Sequence, residues 1–480
     1  MARRALVAAL PALALTIALL APSTARAQSP FPSDDDKPKL AAVLVGFRTV
    51  WRSSGDDDLT GRVRNAQQLQ WNDRLTSWIN QHATTAQKFR ALQDAQYLTA
   101  KGSGYDQSIT IADGLGQRLG TLYAKGRLGG KLPLTTKLLN TTTGSAGDYF
   151  DTGDTKAAFG YPRPYLPVST GSVRASGDQA ACAPSRVSGE SLASLRKGQP
   201  WATAAGDLRI TRVAPAVDTS RRFATTDVTL DAGYGRASLC LGGSFPSGHT
   251  TDAYSAGLTL ATLLPELAPS ILARVSEAAN NRIVLGVHYP LDVIGGRMAG
   301  QAAVAARWSD EKFRTQVLQP ARRELIGYLQ SACGDTLAAC IAADRPYTDD
   351  PYGGAAPPAL TGQVVTDRTT ALIAYTERLG YGFTPITPAA LGASVPQGAQ
   401  NLLRTAFPTL TGTQRQSVLA QTETASGNAL DTTTLQALGL ADGSWQRLNL
   451  AAALSATVLR LADGTVRVLS VGGSPTVLDG

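Results

Sequence analysis

The residues of this sequence that could do chemistry lie in three short, separated clusters. They are KAAFGYPRP at positions 156–164, PSGH at 246–249 and RIVLGVHYPLD at 282–292. Each cluster alone is commonplace, because PSGH usually marks a loop entering a helix and a lysine or arginine usually carries a solvated charge. Their combination is informative, since two of the three histidines in 480 residues fall inside them.

Three cations in these clusters, Lys156, Arg163 and Arg282, suit a phosphoryl group. Arginine donates planar, bidentate hydrogen bonds to such a group, whereas lysine acts as a point charge. Ser247 and Gly248 lie where a helix is predicted to begin, and the unpaired backbone N–H groups of a helix start bind anions. These five residues are therefore predicted to bind phosphate oxygens.

Two histidines and a carboxylate complete the set. His288 and Asp292 are four residues apart, with Pro290 between them in a position typical of a helix's first turn. A carboxylate there could accept from one imidazole nitrogen and leave the other free to attack. His249 remains as a proton donor to the leaving oxygen. The residues alone do not decide which histidine attacks, although the spacing of Asp292 favours His288. The third histidine, His82, has no partner motif and is assigned a structural role.

Such a set can support phosphoryl transfer without a metal, because this reaction needs positioning and charge stabilisation above all. We see no carboxylate cluster for a metal in the sequence and expect no cofactor. With His249 protonated and His288 neutral, activity should follow a bell-shaped pH profile. An acidic optimum is expected if His249 keeps its ordinary pKa of about 6.5.

The elements that must position these residues are mainly helical. Apolar residues recur near helical spacing over much of the range from about 41 to 300. Residues 165–243 interrupt this pattern with Ser, Gly, Ala and Arg and with short alternating stretches, which predict an insertion containing some strand. Gly296, Gly300 and Ala303 form a strip of small residues that predicts close packing between helices.

The first 27 residues have the layout of a secretory signal peptide. A positive start and a short apolar stretch precede the small-x-small site Ala25-Arg26-Ala27. An uncleaved anchor is the alternative interpretation. We expect an exported protein, periplasmic or secreted, whose residues 28–40 form a flexible leader. No later stretch approaches the ~20 apolar residues of a membrane helix, so no span is expected in the mature chain.

The remaining composition limits the classes of partner. The net charge of +8 is mild for this length and no dense Lys/Arg run is present, so the chain suits a small anionic substrate rather than nucleic acid. After a main domain at 41–345, residues 346–480 are predicted to form a small helical module ending in a hairpin at Asp463-Gly464. The sequence indicates no oligomeric state.

Four cysteines fit an exported protein, and they allow three pairings. We favour one short loop and one long loop, with zinc binding as the alternative interpretation. The favoured pairs are Cys333 with Cys340 and Cys182 with Cys240.

The three clusters together resemble the type 2 phosphatidic acid phosphatase superfamily, which includes bacterial class A acid phosphatases and vanadium haloperoxidases. Its pattern is K-x6-R-P, then P-S-G-H, then S-R-x5-H-x3-D. This sequence matches every specified position except the serine, which is Asn281. Asparagine can still donate a hydrogen bond, so we expect adjusted phosphate contacts. The gap of 81 residues between Pro164 and Pro246 is long for a compact class A enzyme, and the insertion could form a lid or a surface elaboration.

The resemblance implies an all-α, helical-bundle core of the acid phosphatase and vanadium haloperoxidase type. It implies that His288 forms a phosphohistidine, that Asp292 orients His288, and that His249 protonates the departing alcohol and later activates water. The expected activity is metal-independent hydrolysis of phosphomonoesters. The alternatives are a vanadium-dependent haloperoxidase, a soluble lipid-phosphate phosphatase and a non-catalytic phosphate-binding protein. Vanadate would be an inhibitor of the phosphatase and the cofactor of the haloperoxidase.

Overall fold

The computed structural model describes residues 31–55, 59–99, 107–139, 152–187 and 190–480. The predicted signal peptide and the first three residues of the predicted leader lie outside these ranges. The described chain is mainly helical and carries only small sheets, which confirms the predicted all-α class.

The helices begin and end as follows: α1 Pro32–Asp35, α2 Leu40–Val43, α3 Ala66–His82, α4 Thr85–Thr99, α5 Gln117–Leu128, α6 Pro133–Leu139, α7 Gly153–Phe159, α8 Glu190–Arg196, α9 Ala237–Cys240, α10 Gly248–Leu263, α11 Ala268–Val284, α12 Pro290–Ser309, α13 Glu311–Phe313, α14 Gln319–Cys333, α15 Leu337–Ala342, α16 Arg368–Gly380, α17 Gly412–Thr422, α18 Thr433–Ala437 and α19 Leu450–Leu454. Short 3-10 segments join several of them, and Arg314–Leu318 forms one π-helical turn ahead of α14.

Helices α10, α11 and α12 form the centre of the molecule. Alanine is the commonest residue in these helices, and every residue of α11 is buried, including the charged Arg274 and Glu277. α11 is therefore covered on every side. α10 packs against both α11 and α12, while α4 and α16 cover further sides of α11. The three helices that carry or begin beside Ser247, Gly248, His249, Arg282 and Asp292 are thereby packed together.

The small-residue strip on α12 lets α10 approach it closely. A Cβ atom added at Gly296 would lie 2.6 Å from the Ser247 carbonyl oxygen, and one added at Gly300 would lie 2.7 Å from Cβ of Tyr254. Both distances are far below van der Waals contact. The close helix packing predicted from these glycines is therefore confirmed, and it occurs where α10 begins.

In the described part of the chain no single helix has the length and hydropathy of a transmembrane span. α10 and residues 265–284 satisfy both criteria only as a pair, and that pair is bent by 114°.

The strands form three small sheets, and their bounds are β1 Trp51–Ser53, β2 Gly61–Val63, β3 Ala216–Asp218, β4 Val228–Leu230, β5 Thr457–Arg460, β6 Val466–Ser470 and β7 Thr476–Asp479. β3 and β4 pair antiparallel within the predicted insertion. β5 and β6 pair antiparallel on either side of Asp463-Gly464, and β7 adds in parallel to β5.

The cysteines pair as the sequence favoured. Cys182 and Cys240 form a disulfide with their Cα atoms 4.8 Å apart, and Cys333 and Cys340 form a second with a Cα separation of 6.2 Å. The first closes residues 182–240 of the insertion into a loop immediately before the PSGH motif.

Two residues of the predicted leader, Ser33 and Asp34, contact a distant part of the chain. The backbone N–H of Ser33 donates to Asp310 at 2.9 Å, and Asp34 forms an ion pair with Arg307 at 2.5 Å. The partners lie more than 270 residues away in the chain. Local polarity does not reveal these contacts, since only the fold brings the partners to this segment.

The C-terminal segment covers α11 and shares its core. Tyr347 donates to Glu277 at 2.5 Å, and Arg378 donates to Ser276 at 3.2 Å. Apolar residues of α16, α17 and α19 belong to the same continuous hydrophobic core as α10 and α12. The segment predicted as a C-terminal module therefore contributes part of the packing around the central helices.

Candidate active site

Lys156 lies on α7 and ties this helix to the loop that precedes α10. Its ammonium group donates to the carbonyl oxygens of Gly243 at 3.0 Å, Ser244 at 3.3 Å and Pro246 at 2.5 Å. α7 ends at Gly160, whose φ of 47° lies in the left-handed region that favours glycine. Lys156 thus fixes the position of the PSGH loop and brings a positive charge to it.

His288 lies just before α12 and is held at both ring nitrogens. Nδ1 lies 3.1 Å from a carboxylate oxygen of Asp292, and Nε2 lies 3.0 Å from Nη1 of Arg163. The same Asp292 oxygen accepts the backbone N–H of Tyr289 at 2.9 Å, which fixes the carboxylate in the first turn of α12. The spacing of four residues in the sequence therefore produces the predicted contact.

These two contacts determine the tautomer of His288. A guanidinium can only donate hydrogen bonds, so Nε2 must accept from Arg163 and carries no proton. The ring proton then resides on Nδ1 and faces Asp292. Nε2 is consequently the nitrogen that carries the lone pair, and that lone pair accepts the hydrogen bond of Arg163.

Burial opposes charge on both partners of this pair. It is the largest cause that lowers the pKa of His288 well below its ordinary value, and Arg163, Lys156 and Arg282 lower that pKa further. Burial also raises the pKa of Asp292. The imidazole is therefore neutral, and nucleophilic, down to acidic pH.

Arg282 lies near the C-terminal end of α11 with 3% of its surface exposed. Nε and Nη1 of its guanidinium are buried without a hydrogen-bond partner. Burial and the nearby charge of Arg163 lower the pKa of Arg282 to about 9, so it remains charged at neutral pH. Buried unsatisfied donors on a cation are costly, and an anion bound between the two guanidinium groups would satisfy them.

The N-terminus of α10 supplies further donors. Ser247 is the N-cap residue and accepts the N–H of Thr250 at 3.3 Å, while its own N–H donates to the carbonyl of Asp292 at 3.0 Å. The first N–H groups of a helix have no partner within it, so those of Gly248 and His249 are available to an anion. A Cβ at Gly248 would lie 3.0 Å from the hydroxyl of Thr152, so glycine also keeps this approach open.

His249 is partly buried in the first turn of α10. Burial is the largest cause that lowers its pKa well below 6.5, followed by the charges of Arg282, Arg163 and Lys156. The acidic optimum was expected on the condition that His249 keeps its ordinary pKa, and the surroundings of His249 lower that pKa. The reason is that all three predicted phosphate-binding cations act on this imidazole, and their proximity is a property of the fold.

Asn281, the departure from the family pattern, makes its side-chain hydrogen bonds within a buried polar network. Its amide donates to Asp94 at 2.8 Å and accepts from Gln87 at 2.7 Å. Asp94 also pairs with Arg274 at 2.7 Å, and its charge acts on Arg282. Asn281 thus connects Arg282, the next residue in the chain, to this network.

The insertion contributes two tyrosines to the surroundings of the predicted cations. The rings of Tyr165 and Tyr234 lie 5.3 Å apart in an edge-on arrangement, with the guanidinium of Arg212 over both. Tyr234 donates to the carbonyl of Leu285, between Arg282 and His288 in the chain. The sequence analysis missed this pair, because Tyr165 and Tyr234 are separated by most of the insertion. The position of Tyr165 directly after Arg163-Pro164 was the only local signal.

The eight predicted site residues thus lie on or next to α7, α10, α11 and α12. Among the residues that the structure describes, no three His, Cys, Asp or Glu side chains lie close enough together to hold a metal ion.

Comparison with known proteins shows a match to one family model. Residues 136–316 match the model of the PAP2 superfamily, and all three clusters lie within this range. The family resemblance of the motifs is thereby confirmed.

Individual relatives include an acid phosphatase of Zymomonas mobilis, which is 39% identical over 105 residues, or 22% of this chain and 39% of the relative. A non-specific acid phosphatase of Providencia stuartii is 37% identical over 86 residues, or 18% of this chain and 34% of the relative. A decaprenylphosphoryl-5-phosphoribose phosphatase of Mycolicibacterium smegmatis is 47% identical over 53 residues, or 11% of this chain and 28% of the relative. The matched segments thus span between 28% and 39% of these relatives.

Proposed function

We propose that this protein is an exported, metal-independent acid phosphatase that hydrolyses phosphomonoesters through a phosphohistidine at His288. The observation that carries the proposal is the arrangement of His288 between Asp292 and Arg163, beside the unsatisfied guanidinium of Arg282. The names of the relatives from Zymomonas and Providencia support the same class of activity.

In the first half-reaction, Arg163 donates to the phosphate oxygens instead of to His288 Nε2, and the freed lone pair of Nε2 attacks the phosphorus atom as the bond from phosphorus to the ester oxygen breaks. His249 donates its proton to the departing alkoxide, which leaves as the alcohol. Asp292 stabilises the positive charge that develops on the imidazole, whose proton stays on Nδ1. In the second half, the neutral His249 takes a proton from water, the oxygen of that water attacks phosphorus, and the nitrogen–phosphorus bond breaks to release phosphate.

The charges around His249 explain why we expect activity to be highest at acidic pH. The cations that would bind phosphate also lower the pKa of His249 in the free enzyme. A dianionic phosphate held by the same cations offsets this effect and raises the pKa of His249 in the complex. Protonated His249 in the free enzyme is nevertheless favoured only at acidic pH.

The test is hydrolysis of a chromogenic phosphomonoester by the mature protein, with and without chelator, across a range of pH. We expect activity that resists chelator, is highest in acid and is lost in His288→Ala. His82→Ala is the matched control, because His82 is exposed and stacks on Trp78. Activity that survived His288→Ala would exclude this nucleophile.

Trapping separates the roles of the two histidines. A ³²P-labelled substrate should leave alkali-stable, acid-labile label on the wild type and none on His288→Ala. His249→Ala should still accept label from a substrate with a good leaving group but release it slowly. Wild-type protein that shows no hydrolysis, yet oxidises halide with peroxide when vanadate is added, would instead establish the haloperoxidase alternative.

The exported location rests on the sequence of residues 1–27. Expression of the full chain in a bacterial host should yield a mature protein that begins near Gln28 outside the cytoplasm, as checked by N-terminal sequencing of each fraction.

A further inference from the structure

Tyr165 carries a buried hydroxyl group beside the predicted phosphate-binding cations. It lies directly after Arg163-Pro164, and 8% of its surface is exposed. Among the residues that the structure describes, none forms a hydrogen bond with this hydroxyl. A buried hydroxyl without a partner costs free energy, which a ligand that accepts its hydrogen bond would offset.

The hydroxyl belongs to the immediate surroundings of Arg163. The backbone turns at this point, since the N–H of Leu166 donates to the carbonyl of Arg163 at 3.3 Å. After burial, the charge of Arg163 has the largest effect on the pKa of Tyr165, and Tyr165 has the largest charge effect on the pKa of Arg163. The guanidinium of Arg163 also contacts Nε2 of His288 at 3.0 Å. Tyr165 therefore lies close to the cation that touches the proposed nucleophile.

The insertion holds the ring of Tyr165 on two sides. The ring of Tyr234 lies 5.3 Å away in an edge-on arrangement, and the guanidinium carbon of Arg212 lies 5.2 Å from the centre of the Tyr165 ring. Arg212 is itself fixed by both carboxylate oxygens of Asp178, at 2.6 and 2.8 Å. These contacts keep the hydroxyl of Tyr165 in place before any ligand arrives.

The hydroxyl of Tyr234, in contrast, is already paired. It donates to the carbonyl of Leu285 and accepts the N–H of Val213 at 3.3 Å. Burial raises the pKa of Tyr234 to about 12, while the N–H of Val213 and the charge of Arg282 lower it. The two tyrosines thus accompany two different cations, and of the two it is Tyr165 whose hydroxyl is available to a ligand.

The unpaired donors in this region suit the same ligand. Nε and Nη1 of Arg282 are buried without a partner, as is the hydroxyl of Tyr165. Burial raises the pKa of Tyr165, so its phenol stays protonated and can donate. A neutral donor adds a hydrogen bond to a phosphate dianion without increasing the repulsion between Arg163 and Arg282.

We propose that Tyr165 is a further phosphate-binding residue, whose hydroxyl donates to a phosphoryl oxygen beside Arg163. This inference rests on the proposed function, because it assigns the phosphoryl group to the position that His288 would attack. The phosphate-binding residues predicted from the sequence are cations and residues at the start of a helix. Tyr165 adds a neutral hydroxyl from the first position of the insertion, which gives the insertion a part in substrate binding.

Calorimetric titration with orthophosphate tests this contact without requiring turnover. Tyr165→Phe removes one oxygen atom and keeps the ring. We expect it to weaken orthophosphate binding by about tenfold or more, the usual effect of losing a hydrogen bond to a charged group. Tyr375→Phe is the matched control, because it removes another buried tyrosine hydroxyl from α16, a helix that carries none of the predicted site residues. This control should bind orthophosphate as the wild type does.

Thermal unfolding separates ligand binding from a structural role. Without phosphate, Tyr165→Phe should unfold at the same Tm as the wild type or at a higher one, because the missing hydroxyl had no partner in the described chain. With phosphate, its Tm should rise by less than that of the wild type. A lower Tm without phosphate, together with an unchanged affinity for orthophosphate, would overturn the proposal in favour of a structural hydroxyl.

Steady-state kinetics locate the contact on the substrate. Tyr165→Phe should lower kcat/KM by a similar factor for phosphomonoesters of alcohols with high and low pKa, since the phosphoryl group is common to all of them. It should also weaken inhibition by orthophosphate by about the factor found in the titration. A loss that grew with the pKa of the leaving alcohol while orthophosphate affinity stayed unchanged would overturn the proposal, because the hydroxyl would then act on the ester oxygen.

The titration and the activity assay fail separately. Wild-type protein that hydrolyses no phosphomonoester, but binds orthophosphate more tightly than Tyr165→Phe does, would refute the phosphatase and support the contact. Wild-type protein that hydrolyses phosphomonoesters, with Tyr165→Phe equal to it in orthophosphate affinity, would support the phosphatase and overturn the contact. Wild-type protein that neither hydrolyses phosphomonoesters nor binds orthophosphate would overturn both.

Discussion

At the scale of single residues, the charge around His249 and His288 sets the chemistry. Burial is the largest cause that lowers both pKa values, and three cations around the two imidazoles lower them further. The neutral imidazole is favoured in each case. For His288 this suits a nucleophile, whereas for His249 it means that an anion or an acidic medium must supply the protonated form.

An NMR titration of the histidines tests this assignment directly, since the chain contains only three. The signals of His249 and His288 should titrate below pH 6.5. Arg282→Ala should raise the pKa of His249, because removing a neighbouring positive charge favours its protonated form. Saturating phosphate should also raise it. An unchanged pKa of His249 in Arg282→Ala would contradict the proximity of the two groups.

The unsatisfied donors of Arg282 predict a large effect on catalysis. Arg282→Ala should lower kcat/KM for a phosphomonoester by about 10²–10³-fold, the usual cost of removing a donor that stabilises transition-state charge. Arg282→Lys should recover only part of this loss, since one ammonium cannot replace a planar fork. Steady-state kinetics at acidic pH measure both. Full activity in Arg282→Lys would show that charge alone is needed there.

At the scale of elements, the contact between α10 and α12 holds the site together. Ser247 at the start of α10 donates to the carbonyl of Asp292 in the first turn of α12, and the glycines of α12 allow this approach. His249 on one helix and Asp292 on the other are thus placed by one helix pair. Strain at the contact between α10 and α12 would therefore displace both His249 and Asp292.

Gly296→Ala should therefore destabilise the protein and impair catalysis. The added methyl group would meet the Ser247 carbonyl at 2.6 Å, and backbone cannot move aside as a flexible side chain can. Overpacking of this kind costs about 1–3 kcal/mol, seen as a lower Tm, and activity at low temperature should also fall.

Gly327→Ala is the matched control for this substitution. Gly327 lies within α14, where an added Cβ would meet nothing within 4 Å. Alanine should stabilise the helix there by about 0.4–1 kcal/mol. Equal effects of the two substitutions on Tm would show that the helix contact is not as close as described.

At the scale of the whole molecule, the C-terminal segment completes the enclosure of α11. Tyr347 and Arg378 reach Glu277 and Ser276 in the middle of that helix. Without this cover, apolar and charged groups that are now buried would face water. The helix that carries Arg282 would then lose part of its support.

A truncation after Arg345 should consequently give protein that is insoluble or poorly helical and has no phosphatase activity. A truncation after Pro475 is the control, because it removes only the edge strand β7 and the last residue. This shorter deletion should leave both folding and activity in place. Circular dichroism, soluble yield and kcat/KM measure both variants. A folded, fully active fragment ending at residue 345 would show that the first part of the chain is self-sufficient.

The sequence by itself determined the three clusters, the helical class, the contact of His288 with Asp292 and the tight packing at Gly296 and Gly300. These features follow from residue type and short spacing, which local geometry fixes. Only the tertiary structure decided the lowered pKa of His249, the anchoring of Ser33 on Asp310 and the burial of α11 under residues 346–480. Each of these depends on groups far apart in the sequence, because desolvation and charge act through space and cannot be derived from local spacing.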